Sequence, residues 1–161
     1  MSKTAFWGFA AAVVTLDRLT KWAVVATMDP SATVSLVPGF ASLVHVRNPG
    51  AAFGILATAD PTLRAGFFLV ITVAVVATLA TLAMRGRFVG TVECAAAAAI
   101  IGGALGNAWD RVAFGEVVDF IDLYAGRWHW PAFNIADSFI TVGALALVLA
   151  SFVRPQDGRD D

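Results

Sequence analysis

Charged residues are scarce in this sequence. Lys, Arg, Asp and Glu make up 14% of its 161 residues, whereas about 25% is usual for a soluble domain. Apolar residues make up 58%, and the mean hydropathy is +0.75. This composition excludes a soluble globular domain and a disordered chain, because both need more polar surface. The net charge of -1 argues against a nucleic-acid partner. The sequence therefore predicts a protein that crosses the membrane several times.

The residues and motifs of several common catalytic sites are also missing. The only cysteine is Cys94, so no disulfide is expected. The two histidines, His45 and His129, are not part of an H-E-x-x-H motif, so we expect no zinc site and no other metal. The sequence has no G-x-S-x-G, P-loop or G-x-G-x-x-G motif either, and no cofactor is expected.

Three long apolar segments are predicted to span the bilayer. Residues 66–84 carry no charge and would extend about 28 Å as a helix, close to the roughly 30 Å of a hydrocarbon core. Residues 91–109 are rich in Ala and Gly, with two glycines in G-x-x-x-G spacing, which favours a closely packed interior helix. Residues 132–153 form the third segment, and Asp137 is its only charged residue.

A fourth span is predicted at residues 5–28, where Asp17, Arg18 and Lys21 interrupt an apolar segment. A secretory signal peptide is the alternative, because a lysine precedes the apolar run. However, charges follow that run, the apolar character then resumes, and no A-x-A-like cleavage site lies at the right place. We therefore expect a retained span and a single membrane domain over 1–161.

Four spans place both termini on one side of the membrane. The positive-inside rule favours the cytoplasm for that side, although the bias is modest because the outer connections carry arginines too. The two long connections, about 29–65 and 110–131, then lie outside. Within the first, residues 33–46 are rich in β-formers around a Pro-Gly turn, which predicts two short strands. The predicted fold is an all-α membrane protein with four transmembrane helices and a small extracytoplasmic β-sheet. The basic residues assigned to the cytoplasmic side are Lys3, Arg85, Arg87, Arg154 and Arg159.

Charged residues within the first span need partners, since each costs at least about 2.5–3.5 kcal/mol at the bilayer centre. Asp17 and Lys21 are four residues apart and share one helix face. They are predicted to form an ion pair that holds helices together, and a direct part in chemistry is the alternative. Arg18 lies about 100° further around the helix and is expected to extend outward.

Polar residues also collect near the outer ends of the last two spans. Gly103, Gly106, Asn107 and Asp110 share one face by three-and-four spacing. The Asn107 amide lies about one turn inside the interface and must find partners. Asp110 by itself is compatible with a solvated cap, as is its neighbour Arg111.

Three carboxylates near this end are candidates for a catalytic pair. Asp137 and Asn134 face the same way, with Asp137 about two turns into the last predicted span. In the second outer connection, Asp119 and Asp122 lie among apolar residues, and the residues alone do not decide between them. Two carboxylates that share a proton hydrolyse peptide bonds without a metal. A proton-coupled carrier with Asp17, Lys21 and Asp137 as a relay is an alternative function, and a non-catalytic scaffold is another.

Five motifs, in chain order, resemble those of the lipoprotein signal peptidases, also called signal peptidase II. The resemblance covers nearly the whole chain, and Pro49 within the second motif is a local departure. The motifs are D-x-x-x-K at Asp17 and Lys21, N-x-G-A-A-F at Asn48, Gly50, Ala51, Ala52 and Phe53, G-G-A-x-G-N-x-x-D-R at Gly102 to Arg111, V-x-D-F at Val117 to Phe120, and F-N-x-A-D-S at Phe133 to Ser138.

The resemblance implies an aspartic endopeptidase whose catalytic pair is Asp119 and Asp137, which decides against Asp122. Its substrate would be a diacylglyceryl-modified prolipoprotein, cut just before the lipidated cysteine. The other site residues that it implies are Asp17, Lys21, Asn48, Gly50, Asn107, Arg111 and Asn134.

The resemblance also implies a location and partners. The protein would lie in a bacterial cytoplasmic (inner) membrane, with its active site near the outer face and in contact with membrane lipid. Its fold would be four transmembrane helices with an outer β-sheet and an outer helix or loop over the site. Globomycin-type cyclic peptides would inhibit it, and we expect a monomer.

Overall fold

Four long helices and a four-stranded sheet make up the computed structural model, which describes residues 1–50 and 60–153. The end of the N-x-G-A-A-F motif (51–53) and the tail with Arg154 and Arg159 lie outside the described residues. The helices are α1 (Lys3–Thr27), α2 (Pro61–Met84), α3 (Thr91–Phe114) and α4 (Ile135–Val153). The strands are β1 (Thr33–Val37), β2 (Ala41–Asn48), β3 (Val117–Ala125) and β4 (Trp128–His129).

Helices α1 and α2 begin where side chains cap their free N–H groups. The Ser2 hydroxyl accepts a hydrogen bond from the Ala5 N–H at the start of α1. The Asp60 carboxylate accepts from two backbone N–H groups at the start of α2, where Pro61 is the first residue. Such caps satisfy donors that have no partner within the helix. Because of its cap, α2 begins five residues before the predicted 66–84.

Three helices are long and apolar enough to cross a membrane: α2, α3 and α4. This finding confirms a multi-pass membrane protein with a mainly helical fold. The α1 helix has 25 residues and carries all three charges of its predicted segment.

Helix α3 is the centre of the bundle, as its Ala- and Gly-rich sequence predicted. The other three helices pack around it. A Cβ atom on Gly102 would lie 2.6 Å from the Ala10 carbonyl oxygen of α1, and one on Gly103 would lie 2.5 Å from the Ala136 oxygen of α4. Only glycine at these two positions allows the backbones to approach so closely.

The sheet has the strand order β1-β2-β3-β4, and all neighbours are antiparallel. The predicted hairpin over 33–46 is confirmed as β1 and β2. The second connection, 110–131, contains β3 and β4, for which no prediction was made from the sequence. Strand β3 pairs with β2, whose residues lie 69 to 82 positions earlier in the chain, so no local pattern revealed it. Buried Val118 and Phe120 of β3 pack against Val24 of α1 and join the sheet to the bundle.

Candidate active site

Asp119 lies on β3 and is 2% exposed. Its Oδ2 accepts a hydrogen bond of 2.9 Å from Asn48 Nδ2, and its Oδ1 accepts one of 2.7 Å from Asn134 Nδ2. The pKa of the Asp119 carboxyl is raised to about 6: burial is the largest cause and the nearby charge of Asp137 adds to it, whereas the hydrogen bonds from Asn48 and Asn134 oppose it. At about pH 6 and below this carboxyl is therefore able to hold a proton, as a general acid must.

The amide of Asn48 is held in one orientation by the turn that follows β2. Its Oδ1 accepts a hydrogen bond of 2.9 Å from the Gly50 N–H, which leaves Nδ2 for Asp119. Gly50 has φ +102°, and a Cβ there would lie 2.5 Å from Cε2 of Phe68. The structure thus explains the N-x-G pattern: the asparagine binds the carboxylate, and the glycine permits both the turn and the approach of α2.

Asp137 and Asn134 form a reciprocal cap at the start of α4. The Asp137 N–H donates to Asn134 Oδ1 at 3.0 Å, and the Asn134 N–H donates to Asp137 Oδ2 at 3.2 Å. This is a capping box with Asn and Asp in place of the usual residues. Asp137 was expected about two turns into its span, and this was wrong: it lies in the first turn, because the helix begins at Ile135 rather than at residue 132.

Asn134 connects the two candidate carboxylates. It is fully buried; its Nδ2 binds Asp119 while its backbone N–H and Oδ1 hold Asp137. The structure thus brings together Asp119 and Asp137. Asp122 does not join them. Side chains alternate between the two faces of a strand, so Asp122, three residues after Asp119, faces the opposite side. Its carboxylate contacts Nδ1 of His129 at 3.0 Å.

Arg111 supplies positive charge beside this pair. Its guanidinium lies over the Phe68 ring of α2, 4.8 Å from the centroid, and donates to the Asn107 carbonyl oxygen at 3.2 Å. The negative charges of Asp137 and Asp119 both act on it. These contacts do not agree with the alternative of a merely solvated Arg111.

Asp17 and Lys21 form a buried ion pair, with 2.8 Å between Lys21 Nζ and Asp17 Oδ2. Both side chains are at most 1% exposed, so they do not lie at an open, wet mouth of the site. Asp17 Oδ1 accepts a hydrogen bond of 3.0 Å from the Ala136 N–H, next to Asp137. Lys21 donates to Asn107 Oδ1 at 2.8 Å. The pair is thus linked to both helices that carry the candidate site.

Sequence reasoning missed Asp110 and misplaced Arg18. Asp110 is fully buried and lies 2.9 Å from Lys21 Nζ, so a solvated cap is wrong for it. Arg18 was expected to extend outward, but it binds the Asp110 carboxylate. The common face of Asn107 and Asp110 was a usable signal, but the partner of Asp110 lies on another helix. We call these four residues the charged cluster: Asp17, Arg18, Lys21 and Asp110.

Comparison with known proteins decides the family. The family model of signal peptidase II matches residues 9–153. The chain belongs to this family. The predicted resemblance is confirmed, and signal peptidase II is a family of peptidases, so the chain is assigned to the hydrolases.

Individual relatives agree over almost the whole chain. The lipoprotein signal peptidase of Neisseria meningitidis serogroup C is 47% identical over 158 residues, which cover 98% of this chain and 95% of the relative. That of Nitratidesulfovibrio vulgaris is 43% identical, covering 94% and 92%. These relatives support the predicted removal of signal peptides from prolipoproteins.

Solved structures show the same fold. A bacterial membrane enzyme determined by the in meso method at 2.3 Å resolution matches 99% of this chain and 94% of its own, with a TM-score of 0.85 and 31% identity. A second, at 1.9 Å resolution, matches 95% and 96%, with a TM-score of 0.82 and 32% identity. The chain thus has the same fold as these two bacterial membrane enzymes.

Proposed function

We propose that this member of the signal peptidase II family is an aspartic endopeptidase that cleaves diacylglyceryl-modified prolipoproteins just before the lipidated cysteine. Asp119 and Asp137 are the catalytic pair. The observation that carries the assignment is the hydrogen bonding of Asn134 to both carboxylates. A side chain that holds two acids together serves a mechanism in which they share a proton.

The two carboxylates have different surroundings, which suits different roles. Asp119 is buried, and its raised pKa of about 6 favours the protonated form. Asp137 is half-buried at a helix N-terminus, where backbone N–H groups favour negative charge. In the proposed reaction, Asp137 takes a proton from the attacking water while Asp119 donates one to the scissile carbonyl oxygen. The two then exchange roles as the amine leaves.

The chain is proposed to span the membrane four times, with α1 as the fourth span. Charges usually disfavour insertion, but Asp17 and Lys21 are buried against α3. The exposed residues of α1 are instead large and apolar: Trp7, Phe9, Leu16, Leu19, Trp22 and Val25. Such a helix presents its charges to protein and its apolar surface to lipid.

The proposed orientation places both termini in the cytoplasm of a bacterial inner membrane and the site at the outer face. Asn107 and Arg111 lie near the C-terminal end of α3, and Asp137 lies at the start of α4, so the site is at one end of the bundle. At this depth the acyl chains of the substrate remain in lipid while water reaches the peptide bond. We propose that the chain 1–161 acts as a single domain and as a monomer.

A cleavage assay tests this function. The purified protein is incubated with a diacylglyceryl prolipoprotein in detergent, and the expected result is a product shortened by its signal peptide. Asp119→Asn and Asp137→Asn should each remove activity without loss of folding, because an amide cannot share the proton. Globomycin should inhibit the wild type.

Asp122→Asn is the matched control for these substitutions. It changes a carboxylate on the same strand that binds His129 rather than Asn134, and it should retain most activity. Substantial turnover by Asp119→Asn or Asp137→Asn would overturn the catalytic pair, and absence of the shortened product with wild type would overturn the substrate.

A further inference from the structure

Lys21 contacts three side chains in the bundle. Its Nζ forms ion pairs with Asp17 Oδ2 at 2.8 Å and with Asp110 Oδ2 at 2.9 Å, and it donates a hydrogen bond to Asn107 Oδ1 at 2.8 Å. A lysine ammonium has donors and no acceptor, so toward Asn107 it can only donate. Arg18 binds the other oxygen of Asp110. The charged cluster therefore contains two acidic and two basic side chains, and its net charge is zero.

The orientation of the Asn107 amide follows from its three neighbours. Its Oδ1 accepts from Lys21 Nζ at 2.8 Å and, over a longer distance, from Asn134 Nδ2 at 3.2 Å, and its Nδ2 donates to Asp137 Oδ1 at 2.7 Å. If the amide were reversed, its NH₂ group would face the ammonium and its oxygen would face the carboxylate, and both contacts would be repulsive. Lys21, which only donates and is the nearer of the two donors, thus turns the NH₂ group of Asn107 toward Asp137.

We propose that Lys21 is a positioning residue for the peptidase reaction, which acts through Asn107 to fix the direction of the hydrogen bond that Asp137 receives. This inference rests on the proposed function, in which Asp137 activates the water. Without Lys21, the Asn107 oxygen keeps only the longer hydrogen bond from Asn134, so the amide is held less firmly and the Asp137 carboxylate moves from the position that the reaction requires. A displacement of about 1 Å costs up to about 100-fold in rate.

The experiment compares two double variants that each remove one acid and one base from the charged cluster. Asp17→Asn/Lys21→Met keeps an oxygen that accepts the Ala136 N–H but removes the donor to Asn107. Arg18→Met/Asp110→Asn removes the other pair and leaves the Lys21–Asn107 hydrogen bond. Both leave the cluster neutral, so neither strands a buried charge.

The measurements are kcat and KM for a diacylglyceryl prolipoprotein, with thermal unfolding in detergent as the check on folding. Asp17→Asn/Lys21→Met should lower kcat about 10- to 100-fold with little change in KM. The control should keep kcat within about threefold of wild type. Equal losses in both would show a structural role of the cluster and overturn the proposal, as would an unchanged kcat in the first.

A third set of variants tests the route through Asn107. In a background of Asn107→Leu, the addition of Asp17→Asn/Lys21→Met should lower kcat no further, because the amide that Lys21 orients is already absent. Additive losses would overturn the route. Lys21→Arg, which keeps donors and charge, should retain more kcat than Lys21→Met, and equal values would also contradict the proposal.

These outcomes are separate from failure of the proposed function. If Asp137→Asn stays active, the catalytic pair itself is wrong. If Asp137→Asn is inactive and Asp17→Asn/Lys21→Met keeps full kcat, only the positioning role of Lys21 is wrong.

Discussion

Asn48 and Asp119 lie on neighbouring strands, and their side chains meet diagonally across the sheet with Nδ2 2.9 Å from Oδ2. The hydrogen bond favours the ionised carboxylate, whereas burial favours the protonated one and is the larger effect, so that the Asp119 pKa is raised to about 6. The asparagine on the neighbouring strand thus acts on the pKa of Asp119 through a hydrogen bond.

A pH dependence follows from this pKa. As pH rises through about 6, the carboxylate pair loses its shared proton, so kcat/KM should fall along a basic limb near that pH. Asn48→Ala removes a donor to the ionised form, which raises the pKa of Asp119, and the limb should move to higher pH. Arg47→Met is the control, because Arg47 binds Glu116 instead. A limb that stays in place in Asn48→Ala, or moves down, would refute the role of this hydrogen bond.

The ion pair of α1 predicts an asymmetric loss of stability. Lys21→Ala removes the only cation that contacts Asp17 in the described part of the chain and should cost about 3–5 kcal/mol. Asp17→Ala should cost less, because Lys21 keeps Asp110 and Asn107. Thermal or denaturant unfolding in detergent measures both, with the double variant as the coupling control. Equal losses, or none in Lys21→Ala, would contradict the burial of the pair.

Gly103 provides a test of helix packing. Gly103→Ala should lower the melting temperature and the cleavage rate together, because its Cβ would overlap the Ala136 carbonyl and push the start of α4 away from α3. Gly8→Ala is the matched control, since a Cβ there meets nothing within 4 Å. If both variants have the same melting temperature and the same activity, the close contact of α3 and α4 contributes neither to stability nor to cleavage.

Topology can be measured with reporter fusions. Fusions after Arg87 and after Arg154 should report the cytoplasm, and fusions near Asp60 and Arg127 should report the outside, because basic residues flank the inner ends of the spans. The expected pattern includes α1 as a span. An outside signal at Arg87 would invert the orientation and place the site on the wrong face for its substrate.

Metal dependence is the last prediction. Cleavage should survive EDTA and 1,10-phenanthroline, because two carboxylates activate water by sharing a proton and the sequence holds no zinc motif. As a control for the chelators, an enzyme with a known zinc site should lose its activity in the same buffer. Strong inhibition that zinc reverses would replace the proposed mechanism.

The sequence alone indicated the helices, because apolar segments are local features, but it missed the cap at Asp60 that begins α2 earlier. The residues of the candidate site lie in five motifs, and the order of these motifs along the chain carried the resemblance to signal peptidase II. Asp119 could be preferred over Asp122 only through that resemblance. The strand that turns the two side chains to different partners depends on pairing with β2, far away in the sequence.

The tertiary structure decided which buried charges meet. Helix periodicity placed Asp17 and Lys21 on one face and Asn107 and Asp110 on another. The contact between these faces depends on the glycines that bring α1 against α3. The same packing turned Arg18 inward to Asp110, against its expected direction, because a buried carboxylate offers a stronger partner than the membrane surface. Local sequence fixes the face on which a residue lies, whereas only the packed bundle determines which residue it meets.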